Sequence, residues 1–164
     1  MNPLQWPLAC FAARIWGRLV AGLEALQPLG LLAARLYIAD VFWKSGLTKL
    51  RDWDTTLALF HDEYHVPLLP PELAAYLGTG GELALPILLV LGLGGRFAAL
   101  GLSVLNAVAA ISLGSEIADA ALQQHIFWGS LLVGLALWGP GRWSLDHWVG
   151  KRFDAVGRER AMAH

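Results

Sequence analysis

The chain has 164 residues, 56% of them hydrophobic and only 15% charged, with a mean hydropathy of +0.51 and a net charge of −1. Soluble domains run nearer a quarter charged, so the composition points to an integral membrane protein of one compact domain, and the near-neutral charge excludes a nucleic-acid-binding domain. The single cysteine, Cys10, excludes an intrachain disulfide, a cysteine-pair metal site and a dithiol redox motif.

The opening residues, MNPLQWPLACFAARIWGRL, have no basic leader, and Pro3 and Pro7 break their apolar run, so no cleavable signal peptide is expected. Leu8-Ala9-Cys10 bears a faint likeness to a lipoprotein cleavage box, but Pro7 and the missing charged leader count against lipidation. Residues 8–27 read as an amphipathic helix. Arg14 and Arg18 stand four apart, and Trp16, Leu19, Leu23 and Leu26 line an apolar face. This helix is too polar to span comfortably, so it is expected to lie along the cytoplasmic membrane surface and to end at Pro28.

The first span is expected over about 29–48. Its positions 35, 39, 42, 46 and 49 fall on one helix face and read Arg35, Ala39, Phe42, Gly46 and Lys49. Asp40 and Lys44 form an i, i+4 pair on the opposite face. A loop from Thr48 to Pro71 follows, rich in acids and carrying His61 and His65. Within it, residues 54–64 could form a short helix capped by Asp54. Pro71 suits the first turn of the second span, about 72–93, with Glu72 at its positive end and a kink expected at Pro86. Gly92, Gly94 and Gly95 make a tight turn. The third span, about 97–115, carries a stripe of small residues, Ala99, Ser103, Ala107, Ala110 and Gly114, which would permit close helix contact. Glu116 and Asp119 fall in a short loop. The fourth span, about 121–139, stops at Gly139-Pro140-Gly141, and a basic tail, helical in part from near Ser144, completes the chain. The organisation is therefore all-α: an N-terminal amphipathic interfacial helix (1–28), a four-helix transmembrane bundle (29–148) and a basic tail (149–164).

A charge at membrane depth costs roughly 3 kcal/mol on insertion scales, so such groups face the bundle interior and find partners there. With each span centred on its midpoint, Glu82 and Asn106 lie at mid-membrane, Arg35 comes within reach of Glu82, His125 sits toward the outer end of the fourth span, and Lys49 sits at the outer end of the first. These five, Arg35, Lys49, Glu82, Asn106 and His125, are the candidate ligand-binding residues. An Arg35–Glu82 pair with Asn106 could equally serve only to set helix register. His61 and His65 have the i, i+4 spacing of two imidazole ligands, but HxxxH alone fixes no metal geometry, and no metal site is expected. Phosphate-loop, nucleophile and haem-attachment motifs are absent from the sequence.

Three pieces in order, Arg35…Phe42-x-x-x-Gly46-x-x-Lys49, then Gly81-Glu82-Leu83 leading to Leu93-Gly94-Gly95-Arg96-Phe97-Ala98-Ala99, then Gly139-Pro140-Gly141-Arg142-Trp143-Ser144-Leu145-Asp146, give the chain its likeness to known proteins. Over about residues 29–148 it resembles the DoxX family of small four-helix membrane proteins. The resemblance implies a four-helix bundle of the cell inner membrane. One branch of that family supplies a subunit of thiosulfate:quinone oxidoreductase, and others associate with redox defence or quinone handling. The polar positions it carries over are Arg35, Lys49, Glu82 and Arg96.

Two classes of function compete. The first is a redox-associated membrane subunit that binds a quinone or similar lipid-soluble molecule among its spans. It would have no redox cofactor of its own, so a bound quinone or a partner subunit would carry any electrons. The second is a non-catalytic membrane anchor, assembly factor or small transporter subunit. The expected partners are the lipid bilayer and either a redox subunit or further copies of the chain. Arg14, Arg18, Arg96, Arg142, Lys151 and Arg152 flank the spans on one side, which the positive-inside rule assigns to the cytoplasm with both termini. Reporter fusions after Arg96 and after Arg152 should therefore read cytoplasmic and one near His61 external; a cytoplasmic His61 would overturn this orientation.

Overall fold

The computed structural model describes residues 5–114 and 117–162, so Pro3 and Glu116 lie outside the described residues, as do the side chains of the tail beyond Phe153. The described residues form helices and connecting turns with no strand: α1 (Gln5–Arg51), α2 (Trp53–Asp62), α3 (Pro71–Leu91), α4 (Gly95–Ser112), α5 (Asp119–Trp138) and α6 (Leu145–Met162). Four helices, α1, α3, α4 and α5, are long and apolar enough to cross a membrane.

α1 packs on α3, α3 on α4 and α4 on α5, and α5 returns less extensively to α1, closing a four-helix ring. Ile38, Phe42, Leu89, Ala98, Ala99, Leu102, Leu132 and Leu135 fill its centre. Close approach of α1 to α3 depends on Gly46, where a Cβ would stand 2.9 Å from Leu83. On α4 the buried face is Gly95, Ala98, Ala99, Leu102 and Asn106. The small-residue stripe therefore straddles the edge of the interface: Ala99 is buried, but Ala107 is exposed.

Pro28 does not end the first helix. It lies inside α1, which continues through it to Arg51. Proline removes one backbone donor, yet membrane helices tolerate that loss where neighbouring turns hold the backbone. The N-terminal stretch is thus the leading part of α1 and no separate element. From Ala9 to Gln27 every residue but Val20 is exposed, including Trp16 at 68%, so its apolar face has no partner among the described residues. A second expectation also shifts: α2 is capped by Asp52, not Asp54. Asp52 accepts from the Thr55 amide at 3.0 Å and the Thr55 hydroxyl at 2.7 Å, while Asp54 sits in the first turn. Those hydrogen bonds to Thr55 hold the Asp52 carboxyl below its ordinary pKa.

α3 begins with Pro70 and Pro71 and ends on Gly92 in the left-handed conformation (φ 65°). α4 opens two residues later without a side-chain cap of its own. The cap comes from α6: the Asp146 carboxylate accepts from the Gly94 and Gly95 amides at 2.8 and 2.9 Å, and the Asp146 amide donates to the Gly92 carbonyl at 3.0 Å. An anion on two orphan amides at a helix N-terminus is favourable on both hydrogen-bonding and dipole grounds. Asp146→Ala should lower unfolding stability in mild detergent by about 1–2 kcal/mol, and Asp146→Asn, which keeps one acceptor, by less.

Candidate functional site

In the half of the bundle covered by α2, α1 brings Lys49 against Glu82 of α3. The ammonium lies 2.8 and 2.7 Å from the two carboxylate oxygens and 2.9 Å from Ser45 Oγ, one turn back on α1. The side chains of Lys49 and Glu82 retain 20% and 12% of their exposure, so the pair is mostly desolvated. α2 fixes the end of α1 above it: Thr56 Oγ1 donates to the Lys49 carbonyl at 2.8 Å.

Across the bundle, α4 holds residue 125 of α5 twice. The Asn106 amide nitrogen donates to the His125 carbonyl at 2.8 Å, which turns Asn106 Oδ1 toward His125 Nδ1, 2.9 Å away. Oδ1 can only accept, so Nδ1 carries the imidazole proton. Trp128 stands edge-on to the His125 ring with centroids 5.2 Å apart, and its indole N–H donates to the Tyr37 hydroxyl at 3.3 Å.

Lys49, Glu82 and His125 share one cavity of about 660 Å³. Its walls are mostly apolar, with Phe42, Leu105, Val108 and Trp128 among them. Phe60, Tyr64 and Val66, from α2 and the segment after it, also line it. The loop is tied down there by the His65 amide, which donates to the Ser112 carbonyl at 3.1 Å. Burial, with Glu63 and Glu82 adding to it, pushes the Tyr64 phenol above its ordinary pKa, so Tyr64 stays a neutral hydroxyl.

Arg35 is elsewhere. The expected Arg35–Glu82 pair does not form, because Lys49 occupies Glu82. Arg35 is fully buried fourteen residues, about 21 Å of helix, from Lys49, and its Nη2 donates to the Trp143 carbonyl. Its Nε and Nη1 have no acceptor among the described residues. The guanidinium lies against Gly92, the C-cap of α3, where the negative end of that helix dipole faces it. Equal centring of the spans misplaces these groups. α1 stops at Arg51, level with the middle of α3, and α2 packs Phe60 onto Ala74 and Ala75 to cover the half of α3 that α1 leaves bare.

The model of the DoxX family matches residues 30–115, more than half of the chain. The chain belongs to the DoxX family. It is also 31% identical over 131 residues to an uncharacterized protein of Haemophilus influenzae (strain ATCC 51907 / DSM 11121 / KW20 / Rd), covering 75% of this chain and 85% of that protein. No solved structure matches it.

One part of each of the three sequence pieces behind the family likeness meets the others in this DoxX protein, while Lys49 and Glu82 lie at the cavity. Arg35, the Gly92–Gly95 turn and the stretch from Pro140 to Asp146 form a single knot at the end of the bundle away from the cavity. The cavity residues that sequence reasoning missed are Tyr64, Trp128 and Phe60. Phe60 and Tyr64 stand four apart on α2 and just beyond it and pack edge to face, with centroids 5.0 Å apart; that spacing was the available signal. His61, weighed as a metal ligand, faces Glu72 at 3.1 Å instead of His65.

The ion pair makes a direct prediction. Lys49→Met should destabilise by about 3 kcal/mol by stranding the Glu82 carboxylate, and adding Glu82→Gln should restore much of that loss. Arg35→Gln should show no such compensation with Glu82→Gln. Thermal unfolding of the single and double variants reads the two couplings.

Proposed function

We propose that this DoxX protein is a redox-associated subunit of the cell inner membrane that binds a quinone, or a similar lipid-soluble molecule with a polar head, in the cavity between Lys49–Glu82 and His125. One observation carries the reading: an apolar-walled space of about 660 Å³ with a few polar groups gathered on it, within the size and chemistry of small-molecule sites. Asn106 acts as a positioning residue by fixing the His125 ring. Arg35 belongs to the fold in this reading and not to the site.

The four apolar spans favour a ligand that partitions into lipid and enters between helices. Val104, which lines the cavity, is itself 61% exposed, consistent with an opening on the lipid side. The chain's residues would hold and orient the head group; electrons would come from the ligand itself or from a partner subunit. The flanking arginines and lysines support cytoplasmic termini, with the cavity in the outer half of the membrane.

Purification in mild detergent, followed by solvent extraction and mass spectrometry, should recover a quinone-type molecule at near-stoichiometric amount. Val108→Trp, which adds volume to the cavity wall, should abolish it while the protein remains folded. A wild-type protein with neither bound nor titratable quinone or quinol would discard this reading.

A further inference from the structure

The polar atoms of the cavity have unequal hydrogen-bonding capacity, and the inequality discriminates between ligands. An ammonium has three protons. Lys49 Nζ lies 2.7–2.9 Å from Glu82 Oε1, Glu82 Oε2 and Ser45 Oγ, so its protons are directed at protein acceptors. Each Glu82 oxygen, by contrast, keeps a second lone pair beyond the one Lys49 uses. His125 spends its Nδ1 proton on Asn106, which makes Nε2 an acceptor in the neutral ring, with no protein partner among the described residues. Trp128, the wall residue with an indole donor, gives that proton to Tyr37. Lys44 pairs with Asp40, which does not line the cavity, and its two remaining ammonium protons are on a side chain that is 71% exposed rather than among the desolvated groups. The Thr48 and Ser112 hydroxyls donate to the Lys44 and Ala109 carbonyls. Among the desolvated lining groups there remain two fixed acceptors, the Glu82 carboxylate and His125 Nε2, and two hydroxyls, Ser45 and Tyr64, that can act either way.

An oxidised quinone presents two carbonyls and can only accept. A hydroquinone presents two O–H groups and can donate. We infer that the cavity is built for the donating form: its ligand is a hydroquinone, or another phenol with an apolar tail, held by O–H bonds to Glu82 and His125. This rests on the reading of the cavity as the ligand site and gives it a direction. An accepting head group would leave both fixed acceptors unpaired in a mostly desolvated space, the arrangement by which a hydrogen-bonding site rejects analogues that lack the matching group.

The test uses the full chain in lipid nanodiscs under anaerobic conditions, titrated calorimetrically with three probes sharing one short alkyl tail: a 1,4-benzoquinol, the matching 1,4-benzoquinone and the dimethyl ether of the quinol. The inference expects the quinol to bind at least about tenfold more tightly than either of the others, and His125→Phe to erase most of that preference. Quinone binding equal to or tighter than quinol overturns the inference and leaves the ligand site standing. Equal binding of all three probes also overturns it, since apolar contact alone would then account for affinity. Binding of none overturns the ligand site, and this inference with it. The wild-type comparison needs no variant to fold.

Discussion

A charge carried into the hydrocarbon layer must meet its compensation inside the protein, because no water stands by to supply it. This chain carries such charges at two depths and settles them in two ways. Lys49 and Glu82 neutralise each other by direct contact, with a serine taking the remaining ammonium proton. Among the described residues, Arg35 has no carboxylate beside it. It is placed at the C-terminal end of α3 and gives one hydrogen bond to the backbone that follows α5. The first solution holds α1 to α3 while leaving acceptor capacity facing a cavity. The second makes the opposite end of the bundle a closed structural knot. The positions of α1, α3 and α4 relative to one another follow from those two settlements.

The division of labour between the ends is visible in their neighbours. Around Arg35, backbone elements meet without room to spare. A side chain at Gly92 would collide with both the guanidinium and Ser144, and α4 starts under a carboxylate from α6. Around Lys49 and Glu82 the walls stand apart, and a short helix with the segment after it, not another spanning helix, covers the space. Rigid closure at one end and a roofed hollow at the other is an arrangement suited to holding a small molecule without unfastening the bundle.

Much of this was legible in the residues. Four apolar stretches with breaks at Pro71, the Gly92–Gly95 turn and Gly139 give the spans, and the ionisable residues within them mark the interior. Lys49, Glu82, Asn106 and His125 do gather around one region. What could not be read was depth. Placing each span's midpoint at the membrane centre assumes equal spans, and α1 ends half a helix short of its neighbour; only the fold of α2 onto Ala74 and Ala75 reveals this. Pro28 misled for a related reason: the rule that proline ends a helix weighs one lost hydrogen bond, and the turns on either side outweighed it. The Asp146 cap was invisible because its donors lie 52 and 51 residues away in sequence.

That last separation sets an order on biogenesis. During synthesis Arg35 enters the membrane region 108 residues before the carbonyl that will accept its proton exists, and the first amides of α4 wait some fifty residues for their carboxylate. Until the end of α5 and the start of α6 emerge and dock, a nascent bundle of three spans carries a bare guanidinium and two unpaired amides at one end. Its insertion can be tentative up to that point. The arrival of residues 140–146 then acts as a latch, so a chain truncated after α4 would lack more than its last span: it would lack the fastening that commits the others.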